Sequence, residues 1–130
     1  EPPAEMAWPR WLSCSRRSPR DRLLAQSHRP RRLILIRHGE SEANVDRKIT
    51  TVVPDHSLHL TRKGREQALD AGRMLRKVVG SESVEFLVSP YVRTRETFNG
   101  IAQAWGGPDR VTSRCDILIR EQDFGNFDKP

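Results

Sequence analysis

Hydrophobic positions along the chain fall into stretches of contrasting spacing. Leu33-Ile34-Leu35-Ile36 is an unbroken apolar run, preceded by Arg31-Arg32 and stopped by Arg37-His38-Gly39. Its length and branching predict a strand buried on both faces in a parallel sheet, because a helix needs about ten residues or more. A polar stretch containing Pro54 follows. From Thr61 the apolar spacing becomes three and four, through Ala68, Leu69, Ala71, Met74, Leu75, Val78 and Val79. This predicts an amphipathic helix with Thr61 as N-cap and Gly80 just past its end. Val84 to Val88 predicts a second strand, Pro90 a break, and Val92 to Trp105 a second helix ended by Gly106-Gly107-Pro108. Ile117 to Ile119 predicts a third, short strand. Alternating strands and helices imply an α/β class, a three-layer α/β/α arrangement with a mostly parallel sheet. With three strands and two long helices the sheet is thin and incomplete.

Composition narrows the class without changing it. The chain has 130 residues, 35% hydrophobic and 31% charged, with two cysteines, so one small domain is the expectation and a disulfide-stapled miniprotein is not. No apolar run approaches the roughly twenty residues of a membrane span, and no membrane partner is expected. The net charge of +6 suggests nucleic acid until it is divided along the chain. Residues 1–32 hold eight arginines against Glu1, Glu5 and Asp21, a net +5, and residues 33–130 hold fifteen basic against fourteen acidic residues, a net +1. The basicity belongs to the leading segment, so a folded domain with a nucleic-acid-binding face is not expected.

That segment carries five of the nine prolines and interleaves Arg with Ser, as in Ser15-Arg16-Arg17-Ser18-Pro19-Arg20. Neither periodicity survives, and residues 1–32 read as a disordered basic leader ahead of a domain at 33–130. From Met6 to Arg32 the composition suits an organellar transit peptide or a solvated basic tail. The location expected is intracellular, cytoplasmic unless the leader targets an organelle. Cys14 and Cys115 have no paired spacing and read as reduced thiols. Asp55-His56 and His59 have a loose metal-ligand spacing without a third ligand, so no metal is expected. Phe98 and Trp105 read as core.

In open α/β sheets the functional crevice lies outside the carboxyl ends of the strands. Past each predicted strand stands a distinctive polar group: Arg37-His38-Gly39-Glu40-Ser41-Glu42-Ala43-Asn44, then Ser89-Pro90-Tyr91-Val92-Arg93-Thr94-Arg95-Glu96-Thr97, then Arg120-Glu121-Gln122-Asp123-Phe124-Gly125. Such an edge gathers arginine forks for phosphate oxygens, an imidazole nucleophile and a carboxyl proton donor. Those groups suit a phosphate ester. The plainer alternatives are an ion pair of Arg93 with Glu96, and pairing of Glu121 with Arg120 or a turn-capping role for it.

These segments resemble the histidine phosphatase superfamily, whose members include the cofactor-dependent phosphoglycerate mutases. Arg37-His38-Gly39-Glu40 after an apolar strand resembles its signature, and Leu60-Thr61-Arg62-Lys63-Gly64-Arg65-Glu66-Gln67-Ala68 its helix opening. The Ser89 to Thr97 segment is similar to that carrying its second phosphate-binding arginine. Arg120 to Phe127 resembles the segment carrying its acidic residue, most of all in phosphoglycerate mutase-like proteins of plants and fungi. The resemblance covers about residues 33–127. It implies that His38 takes the phosphoryl group, that Arg37 and Arg93 hold phosphate oxygens, and that Ser41 and Asn44 line the phosphate site. Glu121 would protonate the leaving oxygen and then activate water, while Arg95 faces away. The implied reaction is double displacement through phosphohistidine on a small phosphorylated metabolite, with no metal and no cofactor in the scheme.

The resemblance also implies a later strand followed by a second His-Gly, and nothing through Pro130 takes that place. The chain therefore reads as the front half of a phosphoglycerate mutase-like fold. Taken alone, it is expected to have little phosphatase activity and marginal stability. A catalytically inactive remnant that binds a phosphorylated ligand or a partner is the alternative reading. The pattern specifies no oligomeric state. Limited proteolysis is expected to trim the leader to about residue 30 and leave a core starting near Arg31. Protection of Trp8 and Trp11 from cleavage would overturn this expectation.

Overall fold

The computed structural model describes residues 30–122. Residues 1–29, with the expected disordered leader and Cys14, and residues 123–130 lie outside the described part. The chain divides into two units between Leu35 and Ile36, and every described element belongs to the second. In order these are α1 (Glu42–Val45), 3₁₀ turns at Arg47–Thr51 and Asp55–Ser57, α2 (Arg62–Val79), β1 (Glu85–Val88) and α3 (Val92–Ala102). Further 3₁₀ turns at Gln103–Trp105 and Pro108–Arg110 lead to β2 (Thr112–Cys115), and a last one spans Ile117–Ile119.

The helix expected after Thr61 forms as its capping residues dictate. The Thr61 hydroxyl accepts a hydrogen bond from the Gly64 amide at 3.0 Å, and Gly80, at φ 57°, stops the helix. Its buried stripe is Gly64, Ala68, Gly72, Leu75 and Val79. Three of the expected apolar positions, Leu69, Met74 and Val78, are exposed instead. The reason is the partner. Helix α3 approaches so closely that a Cβ at Gly72 would collide with the Ile101 backbone, and one at Gly100 with the Ala68 side chain. A pattern of large apolar residues does not register a face built from glycine and alanine.

Beyond the small-residue contact, Leu75, Val79 and Ile101 form a buried cluster joined by Ala71, Val84, Phe86 and Trp105. Phe86 sits at the centre of an aromatic group, 5.4 Å from the ring of Phe98 and 5.6 Å from that of Trp105, in tilted and edge-on arrangements. Phe98 and Trp105 thus pack as the sequence predicts. Arg76 lies over the outer face of Trp105, 5.3 Å from the ring centre.

Strands β1 and β2 pair in parallel, with Glu85 opposite Thr112 and Val88 opposite Cys115. The α/β class with a parallel open sheet holds, although two of the three expected strands do not. The second sheet strand is the polar Thr112–Cys115, and Ile117–Ile119 is a turn, because the Asp116 carboxylate accepts from the Leu118 amide at 3.0 Å and bends the chain. Leu33 to Ile36 joins no ladder among the described residues, and Leu33 and Leu35 are exposed. Branching and apolarity favour a strand there, but a strand needs a hydrogen-bonded neighbour. Among the described residues, no helix is long and apolar enough to cross a membrane. Cys115 is free and exposed.

Packing at the start of α2 leads to a stability prediction. A Cβ on Gly64 would strike the Glu40 carbonyl. Gly64→Ala gains about 1 kcal/mol of helix propensity but forces an overpacked backbone contact costing about 1–3 kcal/mol. A lower urea midpoint is expected, and a midpoint equal to or above that of the unaltered chain would contradict the steric reading.

Candidate active site

The turn after Arg37 owes its shape to three tethers. The Gly39 amide donates to the Thr97 hydroxyl at 3.1 Å, and that hydroxyl donates to the Arg93 carbonyl at 2.8 Å. The Glu40 carbonyl accepts from the Thr61 amide at 2.9 Å, while the Glu40 carboxylate accepts from the Thr61 hydroxyl and from Lys63, both at 2.9 Å. The bonds from Lys63 and Thr61 hold the Glu40 carboxyl below the usual carboxylate range. Finally, Ser41 and Leu60 form an antiparallel bridge. The segment is thus fixed to the start of α2 on one side and to α3 on the other.

His38 sits at the centre of this arrangement, half-buried. Its Nδ1 lies 2.7 Å from the Gly39 carbonyl oxygen. A carbonyl only accepts, so Nδ1 carries the proton and, in the neutral ring, Nε2 keeps its lone pair. Burial lowers the imidazole pKa below its ordinary value. The Gly39 hydrogen bond opposes that shift, the charges of Arg93 and Arg37 reinforce it, and the Glu121 charge opposes it. The net direction is downward, which favours the neutral ring at pH 7.

A cleft of about 450 Å³ opens beside His38. It is lined by all six residues that the sequence nominates: Arg37, His38, Ser41, Asn44, Arg93 and Glu121. Arg37 and Glu121 are exposed, and Arg95 lies on the exposed side of α3. Ser41 is buried, and its amide and hydroxyl both donate to the Asn44 Oδ1, at 2.9 and 3.0 Å. That capping arrangement orients the Asn44 amide, whose NH₂ has no acceptor among the described residues. A second cleft of about 230 Å³ shares Arg37, His38, Arg93 and Glu121, and adds Ser89, whose hydroxyl is buried without a hydrogen-bond partner among the described residues.

Arg93 is held differently from the pairing the sequence suggests. Its side chain is only 6% exposed and is paired with Asp55. Nη1 donates to the Asp55 carbonyl at 2.7 Å and to Oδ1 at 2.9 Å, and Nη2 donates to Oδ2 at 3.1 Å. The Tyr91 ring covers one face of the guanidinium, 4.9 Å from its carbon, and His56 meets that ring edge-on. Glu96, its partner in the plainer alternative, instead accepts from the Leu60 amide at 2.7 Å and pairs with His59 and Arg65. Burial opposes ionisation of Glu96, but the bonds from His59, Leu60 and Arg65 outweigh it and lower its pKa. The Glu121 carboxylate accepts from the Gln122 amide at 3.3 Å.

Asp55, His56 and Tyr91 are among the cleft residues to which sequence reasoning gives no role in the site. Spacing groups Asp55 with His56 only as weak metal ligands, although an arginine on the inner face of a helix requires a carboxylate somewhere. The polar stretch before α2 is where that carboxylate stands. Chemically, the cleft offers an unprotonated imidazole nitrogen between arginine donors, with a carboxyl group at its rim. These are groups for a tetrahedral oxyanion.

Comparison with known proteins agrees with this geometry. The Arabidopsis thaliana phosphoglycerate mutase-like protein AT74 is 43% identical over 116 residues, which cover 85% of this chain and 35% of that protein. The Saccharomyces cerevisiae broad-range acid phosphatase DET1 is 40% identical over 68 residues, 50% of this chain and 20% of that one. An Escherichia coli structure assigned as an alpha-ribazole-5'-P phosphatase superposes with a TM-score of 0.54 at 28% identity, over 71% of this chain and 41% of its own. The chain spans well under half the length of these relatives. The family model for the histidine phosphatase superfamily (branch 1) matches residues 33–130, three quarters of the sequence, and the chain belongs to that superfamily.

Proposed function

We propose that the chain carries the nucleophilic part of a site that removes the phosphoryl group from a small phosphorylated metabolite, or transfers it, through a phosphohistidine at His38. The observation that carries this reading is the hydrogen bond from the His38 Nδ1–H to the Gly39 carbonyl. It fixes the tautomer that leaves Nε2 nucleophilic. Nε2 attacks phosphorus as the ester P–O bond breaks, and a protonated Glu121 gives its proton to the departing oxygen. The Glu121 carboxylate then takes a proton from water, which attacks phosphorus and breaks the P–N bond. Inorganic phosphate leaves and neutral His38 returns; an acceptor alcohol in place of water makes the same step a transfer. Arg37 and Arg93 balance the charge on the equatorial oxygens, and the Asn44 amide adds a donor. Ser41 acts by holding Asn44. The names of the plant and yeast relatives agree with phosphoryl chemistry on this scaffold.

The reading is tested with ³²P-labelled p-nitrophenyl phosphate. An acid-labile, alkali-stable label is expected on the chain, lost in His38→Ala and kept in His56→Ala and His59→Ala. Label persisting in His38→Ala, or none on the unaltered chain, overturns the assignment.

The protonation state has its own test. The His38 ring is expected to titrate below 6.5, with the Nδ1–H tautomer visible in its nitrogen shifts. Because the folded-state pKa is lowered, the unfolded chain binds the extra proton first. This residue's contribution to stability is therefore whole above about pH 6.5 and declines as the pH falls toward the folded-state value. Titration at or above 6.5 would remove the basis for a neutral nucleophile.

A further inference from the structure

We propose that Asp55 is a positioning residue for the oxyanion site: it grips one edge of the Arg93 guanidinium so that the other edge is presented, already oriented, to a phosphate ester. The inference rests on the reading of Arg93 as a phosphate ligand and adds a residue that the reaction scheme does not use.

A guanidinium offers two separate forks, one from Nη1 and Nη2 and the other from Nε and Nη2. Asp55 occupies the first with both carboxylate oxygens, at 2.9 and 3.1 Å, and its own carbonyl takes the remaining Nη1 hydrogen at 2.7 Å. Three of the five donors are thereby engaged. The Nε–H and the second Nη2–H, which lie parallel along the other edge, have no acceptor among the described residues. Arg93 lines both clefts around His38. Two parallel donors at that edge match two oxygens of a phosphate.

The grip is also planar. Tyr91 lies against the guanidinium face, and His56, next to Asp55 in the chain, lies edge-on to Tyr91. The pairs Asp55-His56 and Tyr91-Arg93 therefore close a ring of contacts that fixes both tilt and rotation. A flexible arginine must give up its rotamer freedom when a ligand arrives; here that ordering is complete in the free protein. The partners also differ in exposure. The Arg93 side chain is buried, whereas that of Asp55 is 46% exposed. Asp55 can thus be altered with less disturbance of the core than Arg93.

The alternative is that the Asp55 carboxylate competes with phosphate for Arg93. The forks argue against this, because the edge it holds is not the open one. Inorganic phosphate binding to the full 130-residue chain, followed by calorimetry, decides the matter. Asp55→Ala is expected to weaken phosphate binding by about tenfold or more, and Asp55→Asn, which keeps one acceptor, by less. Arg93→Ala is expected to weaken it at least as much, and Asp55→Ala combined with Arg93→Ala no further, because Asp55 acts only through Arg93. The Arg93 Nε–H resonance is expected to be a single line in the unaltered chain and to broaden in Asp55→Ala. Thermal melts of each variant separate these effects from unfolding, and Asp55→Asn carries the comparison should Asp55→Ala melt. Unchanged or tighter phosphate binding in Asp55→Asn and Asp55→Ala, or losses that add in the double variant, overturns the proposal. If Arg93→Ala binds phosphate as the unaltered chain does, the phosphate reading itself falls, and that result is visible before Asp55 is altered.

Discussion

The contact between the Gly39-Glu40 backbone and the first turn of α2 at Gly64 is the constraint on which the site depends. Neither Gly39 nor Gly64 can carry a Cβ without colliding with the other segment. Their closeness lets the Glu40 carbonyl reach the Thr61 amide and the Glu40 carboxylate reach Lys63. His38 stands one residue before that anchor and inherits its rigidity. The Thr97 hydroxyl extends the same restraint to α3, since it joins the Gly39 amide to the Arg93 carbonyl. His38 and Arg93 come from distant parts of the sequence, yet a single hydroxyl bridges their backbones.

Much of this can be read from the sequence, for reasons that differ from residue to residue. Helix α2 is legible because Thr61 and Gly80 punctuate it, and α3 because Pro90 and the Gly106-Gly107 pair bracket it. The six nominated residues line one cleft, although of the three apolar segments they follow only Val84 to Val88 supplies a strand. The exact strands are less legible. Leu33 to Ile36 and Ile117 to Ile119 have the stronger β composition, while the ladder is made by Thr112 to Cys115. Pairing is decided by which backbone lies beside β1, and Asp116 turns the chain before the isoleucines can extend it. The Arg93 to Asp55 pair is illegible for another reason: local spacing offers Glu96, and only the folded loop shows that Glu96 already serves Leu60, His59 and Arg65.

Electrostatically the cleft is closer to balanced than its arginines suggest. Arg37 and Arg93 face Asp55 and Glu121, with an imidazole held toward its neutral form among them. Attraction for an anion at such a site comes less from net positive potential than from the direction in which individual N–H groups point.

The glycine and alanine seam between α2 and α3 has a consequence for where substitutions are tolerated. Residues without rotatable side chains lose no rotamer entropy when the helices dock, so the seam is ordered at little conformational cost and leaves almost no room for repacking. Substitution is therefore better tolerated outside the seam, as in the 3₁₀ turn Arg47–Thr51, whose residues are mostly exposed. That turn contributes no residue to the seam, whereas Pro54, Asp55 and His56, further along the chain, line the cleft. Changes in that turn leave the seam and the Asp55 grip on Arg93 as they are, whereas a change at Asp55 reaches the cleft directly.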